Sequence, residues 1–82
     1  MKQATVALPW RQAYYLGLMG RGLPCVIRYT RAGRGRLVYT LPKLWWQALT
    51  RQHAHIACKT RTGAGASSVH AGMRQIARVI GD

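Results

Sequence analysis

Cys25-Val26-Ile27-Arg28-Tyr29-Thr30-Arg31 and Arg36-Leu37-Val38-Tyr39-Thr40-Leu41 are two β-rich runs separated by Ala32-Gly33-Arg34-Gly35. β-Branched and aromatic side chains suit a pleated, half-buried surface. A short glycine-containing spacer between two such runs reads as a β-hairpin. Side chains alternate across a strand, so Cys25, Ile27 and Tyr29 share one face of the first strand, and Leu37, Tyr39 and Leu41 one face of the second. That face is expected to belong to the core.

Upstream, a helix is expected from about Pro9 to Met19. Proline suits a first helical turn, and Trp10, Ala13, Tyr14, Leu16 and Leu18 supply an apolar side. Gly17, Gly20 and Gly22 weaken its second half and end it before Pro24. Downstream, Pro42 opens a helix to about Gln52. Leu44, Trp45, Ala48 and Leu49 form its buried side, while Lys43, Gln47 and Arg51 recur every four residues opposite. His55 to Thr60 reads as a short third strand or as a continuation of that helix. Residues 62–66 read as a loop. Ser67 or Ser68 then caps a last helix with the best amphipathic stripe in the chain: Val69, Met73, Ile76, Ala77 and Ile80. Gly81 ends it. The expected fold is therefore one small α+β domain over residues 1–82. Its order is helix, β-hairpin, helix, a short strand or helix continuation at 55–60, and helix, with the helices packed on a small antiparallel sheet.

Charge limits function more sharply than any motif. The chain has 82 residues, with thirteen Lys and Arg and a single carboxylate side chain, Asp82, for a net charge of +12. Residues 1–81 therefore offer no Asp/Glu acid–base pair, no carboxylate-oriented triad and no carboxylate cage for Mg²⁺ or Ca²⁺. Enzyme activity is not expected, and no cofactor is called for. Thirteen like charges on so small a body repel one another. An anionic partner relieves that repulsion: nucleic-acid phosphates, an acidic protein face or an anionic membrane. Arg outnumbers Lys ten to three, which suits bidentate phosphate contacts and equally fits a GC-rich coding bias. No run approaches the roughly 18 apolar residues of a membrane span, and the N-terminus lacks the pattern of a secretory signal. A cytoplasmic location without membrane attachment is expected, with Cys25 and Cys58 as buried thiols rather than a disulfide.

The first candidate site is the hairpin tip. Arg28, Arg31, Arg34 and Arg36 fall within nine residues, where ten arginines in 82 would place about one. A basic hairpin tip can enter a groove or straddle a phosphate backbone, although a solvated loop in an Arg-rich chain also collects arginines. Arg74 and Arg78, one turn apart on the last helix, form a second basic face. Gln75 lies beside them as a side chain able to read adenine. The spacing before that helix is too long for a helix-turn-helix. Exposed Trp46 near Arg51 would stack a base or anchor a protein partner. Arg61, Gly63, Gly65, Ser67 and Ser68 make a candidate anion-binding loop at a helix start. The spacing and lysine of a nucleotide-binding loop are absent. His53, His55 and Cys58 are zinc-ligand types, but in no established spacing, so metal binding is not expected.

The function these features favour is a small, non-enzymatic nucleic-acid-binding protein that contacts phosphate mainly through Arg28, Arg31, Arg34 and Arg36. A winged-helix-like regulator is one version. The alternative is an inhibitor or adaptor of the kind carried by phages and plasmids. Such a protein would dock on an acidic protein surface or block a nucleic-acid channel.

Overall fold

In the computed structural model, which describes residues 2–57 and 64–81, the hairpin joins strand β2 (Val26–Tyr29) to β3 (Gly35–Pro42). Glycine shapes its turn. Gly33 takes φ +78°, a left-handed conformation that costs other residues energy. Its N–H donates to the Thr30 carbonyl at 2.9 Å, and the Thr30 N–H donates to the Arg34 carbonyl at 2.9 Å. The Arg34 N–H also reaches the Thr30 hydroxyl at 3.2 Å. These bonds fix the backbone from which Arg31 and Arg34 project.

A strand precedes everything the sequence reading anticipates. β1 (Gln3–Pro9) pairs antiparallel with β3, giving the order β1-β3-β2 with β3 in the centre. The signal was present as alternation: Ala4, Val6 and Leu8 are buried between more exposed neighbours. Two alanines, poor strand formers, mask it. Pro9, expected to start a long helix, is instead the last residue of this edge strand.

Helix α1 (Trp10–Tyr15) is correspondingly short. Gly17, at φ +79°, stops it. The Leu18 N–H donates to the Ala13 carbonyl and the Gly17 N–H to the Tyr14 carbonyl, each at 3.0 Å. This Schellman arrangement satisfies carbonyls that the ended helix would otherwise leave open. Ala13, Leu16 and Leu18 are buried as expected, whereas Trp10 and Tyr14 are exposed. A single 3₁₀ turn, Met19–Arg21, follows before β2.

Helices α2 (Lys43–Ala57) and α3 (Ala64–Ile80) complete the described elements. α2 continues through His55–Ala57, which removes the first half of the alternative strand at 55–60; residues 58–60 lie outside the described residues. α3 begins before Ser67 and Ser68, so neither caps it. Its stripe behaves as read: Ile76 and Ile80 are buried, and Val69 and Met73 pack against the core. The Gly81 N–H closes it on the Ala77 carbonyl at 2.9 Å. On α2 the buried side is Trp46 and Leu49, while Leu44 is exposed. A Cβ at Gly72 would lie 2.7 Å from Cδ1 of fully buried Leu16, so glycine there is what allows α3 to approach α1. The architecture is α+β, with helices laid on one face of a three-stranded antiparallel sheet. No helix among the described residues is long and apolar enough to cross a membrane.

Candidate nucleic-acid interface

The register assigns each hairpin side chain to a face. Val6 opposes Tyr39, Leu8 opposes Leu37, and Ile27 opposes Leu37 from the other side. Ile27 and Tyr29 thus share the parity of the core residues, as alternation predicts. They are not buried, however: Ile27 is 57% and Tyr29 70% exposed. Among the described residues the helices pack over β1 and β3, and none packs on β2. Cys25, expected to be buried, is likewise exposed.

Arg28 and Arg36 are direct cross-strand partners on the opposite face, which no helix among the described residues covers. Like charges so placed repel across a Cβ separation of roughly 5 Å, and residues 1–81 contain no carboxylate to offset them. Arg31 and Arg34 extend this pair into the turn. Arg28, Arg31 and Arg34 are exposed and Arg36 is half-buried.

β1 adds what sequence reading missed. Pro9 pairs with Arg36, so the first residues of α1 stand beside the hairpin. Pro9, Trp10, Arg11, Arg34, Gly35 and Arg36 line an open groove of about 330 Å³. The Arg11 guanidinium lies over the Trp10 ring at 5.6 Å from its centroid. A second open groove of about 410 Å³ runs on along Trp10, Arg11, Tyr14, Tyr15 and Ser68. Sequence alone gives Arg11 and the aromatics of α1 no role in the site, because Trp10 and Tyr14 fit the apolar side of a long helix. Only the pairing of β1 brings Trp10 and Arg11 to the hairpin.

Other candidates separate. Trp46 is fully buried, and its indole N–H donates to the Ala4 carbonyl at 3.0 Å. It therefore fastens α2 to β1 and cannot stack a base or meet a partner. Trp45, half-buried, is the one of the pair that reaches the surface, under the Arg21 guanidinium. Gln75 donates to Gln12 Oε1 at 2.8 Å and links α3 to α1, so its amide is not free to read a base edge. Arg51, Arg74 and Arg78 are exposed on their helices. Gly65, Ser67 and Ser68 lie within α3 rather than in a loop, and Arg61 and Gly63 lie outside the described residues. His53 Nε2 sits 3.0 Å from the Leu16 carbonyl. An oxygen that only accepts requires that nitrogen to carry the proton, which occupies it as a ligand atom. The His55 side chain and Cys58 are outside what is described. Among the described residues no three of His, Cys, Asp and Glu gather as a metal site would need.

Among the described residues one titratable group is strongly perturbed. Burial, reinforced by the adjacent Cys25 thiol, raises Tyr39 from 10.0 to about 12. Tyr39 faces the core, so the shift belongs to folding rather than to the interface. Compared with known proteins, the chain matches no family model, and neither a curated protein nor a solved structure resembles it at a significant level.

Proposed function

We propose that this chain is a non-enzymatic nucleic-acid-binding protein whose main contact is phosphate, made by Arg28, Arg31, Arg34 and Arg36. The observation that carries the reading is the cross-strand pair Arg28 and Arg36 on the uncovered sheet face, continued by Arg31 and Arg34 in a turn whose backbone is hydrogen-bonded into one shape. Two arginines at directly opposed strand positions repel when empty, and a phosphate bound between them relieves that repulsion. No carboxylate in residues 1–81 competes for them. Arg11 adds a fifth cation to the same rim. Five phosphate contacts imply that log affinity falls against log salt with a slope of about −4 to −5 on duplex DNA. Fluorescence anisotropy on unrelated duplexes at several salt concentrations measures it. A flat response, or no binding at about 50 mM salt, removes the proposal.

A second reading, an inhibitor or adaptor docking on an acidic protein, draws support from β2. All four of its residues are exposed, Val26, Ile27 and Tyr29 among them, and its outer edge has no strand beside it among the described residues. An exposed apolar edge is the usual template for a strand from another chain. The two readings part on Ile27→Ser with Tyr29→Ser. A phosphate contact leaves nucleic-acid affinity unchanged in that variant, whereas a protein partner loses its apolar anchor.

A further inference from the structure

Helix α1 spends its surface unusually. Of its six residues only Ala13 is buried, while Trp10 is 56%, Tyr14 58% and Tyr15 41% exposed. Three large aromatic rings on one short element leave apolar surface in water, which folding alone does not favour. The rings are also ordered. Tyr14 and Tyr15 meet edge-to-face at 5.2 Å between centroids. Trp10 carries Arg11 over one face of its ring, and a ring has two faces. Trp10 and Arg11 line both grooves, so the aromatic side of α1 is joined through these two residues to Arg34 and Arg36 of the hairpin.

Resting on the phosphate-binding reading, we infer that this aromatic side of α1 is a stacking platform for single-stranded nucleic acid. Unpaired bases lie on Trp10 and Tyr14, while Arg11, Arg34 and Arg36 hold the backbone that connects them. Bases of a duplex have their faces covered by their neighbours and expose only their edges in the grooves. Only an unpaired strand can lay a base flat on an aromatic ring. Both grooves are open along one side, which suits bases arriving from a continuous strand better than a small molecule needing enclosure. Stacking tolerates any base, because every base has a π face, so little sequence preference is expected. Ser68 also lines the second groove.

The test compares three ligands of equal length with the whole protein: a mixed-sequence single strand, the same strand with abasic sites throughout, and the corresponding duplex. Deoxyribose and ribose strands are measured separately. With at least one sugar, the intact strand is expected to bind at least roughly tenfold more tightly than its abasic counterpart, and to quench the fluorescence of Trp10. Trp10→Ala and Tyr14→Ala should each remove most of that difference and leave abasic binding as it was. Trp10→Tyr should restore part of it. Both residues are exposed, so these variants should keep the wild-type circular dichroism. Equal binding of intact and abasic strands, or a Trp10→Ala variant with its preference intact, overturns the stacking platform but leaves the phosphate contact standing. Failure of all three ligands at low salt removes both.

Discussion

Tyr39 shows how one residue ties the hairpin to pH. Its ring is in the core and its hydroxyl is beside Cys25, so ionising it in the folded protein is opposed by burial first and by the thiol second. The neutral form is therefore favoured in the folded state relative to the unfolded one. The sign follows from linkage: below pH 10 both states hold the proton, and between 10 and about 12 the unfolded state has lost it while the folded state has not. The contribution of Tyr39 to stability is fully present below pH 10 and should be lost as pH rises toward 12. Urea unfolding followed by circular dichroism across that range should show the midpoint dropping, and Tyr39→Phe should flatten the decline. An equal decline in the variant would mean that other groups control alkaline unfolding. Trp46 makes a complementary point. Adjacent to half-buried Trp45, it is wholly enclosed because its N–H finds the Ala4 carbonyl, and a buried indole without such a partner would be costly.

At the level of elements, the hairpin and α3 compete for the role of main contact. The hairpin offers four arginines, two of them paired across strands. α3 offers Arg74 and Arg78 on a surface that water can cover at no cost. Replacing Arg31, Arg34 and Arg36 by Ala should flatten the salt slope by about 2.7 units on duplex DNA, against about 1.8 for Arg74→Ala with Arg78→Ala. The triple variant should also lose more affinity. Folding should survive, since Arg31 and Arg34 project from the turn and Arg36 opposes only Pro9 and Arg28. Wild-type affinity in the triple variant, with binding lost in the helix pair, would move the site to α3. α1 and α3 are otherwise tightly matched, through Gly72 against Leu16 and Gln75 against Gln12. That packing explains why α3 presents its stripe so exactly inward, as its sequence period foretold.

Across the whole molecule the dominant quantity is the net charge of +12 on 82 residues. Like charges on a small body destabilise its compact state, and salt screens them over a Debye length that shrinks from about 30 Å at 0.01 M to about 3 Å at 1 M. Relief of about 1 kcal/mol would raise Tm by roughly 4–8 °C for a domain of this size. Differential scanning fluorimetry should therefore show Tm rising with sodium chloride. Inorganic polyphosphate at the same ionic strength should raise it further, because it binds the folded arginine cluster more than the dispersed one. A Tm indifferent to both would mean that the thirteen cations are spread too widely to interact.

Local rules account for much of this protein without reference to contacts between distant residues. Glycine at position 33 set the turn, alternation set the parity of β2 and β3, and a 3.6-residue period set the inward face of α3. The abundance of arginine and near absence of carboxylate made an anion-binding surface the leading expectation. Each of these depends on residues close in sequence or on composition. What the sequence left undecided depended on contacts between distant residues. Gln3–Pro9 became a strand because β3 had an edge to pair with, and alanine-rich alternation is too weak to announce that alone. Ile27 and Tyr29 stayed exposed because the helices cover β1 and β3 and stop there, which no pattern within β2 encodes. The same pairing of Pro9 with Arg36 carried Trp10 and Arg11 to the hairpin arginines. Side-chain period tells which way a residue faces on its own element; only the packing of elements decides whether anything lies in front of it.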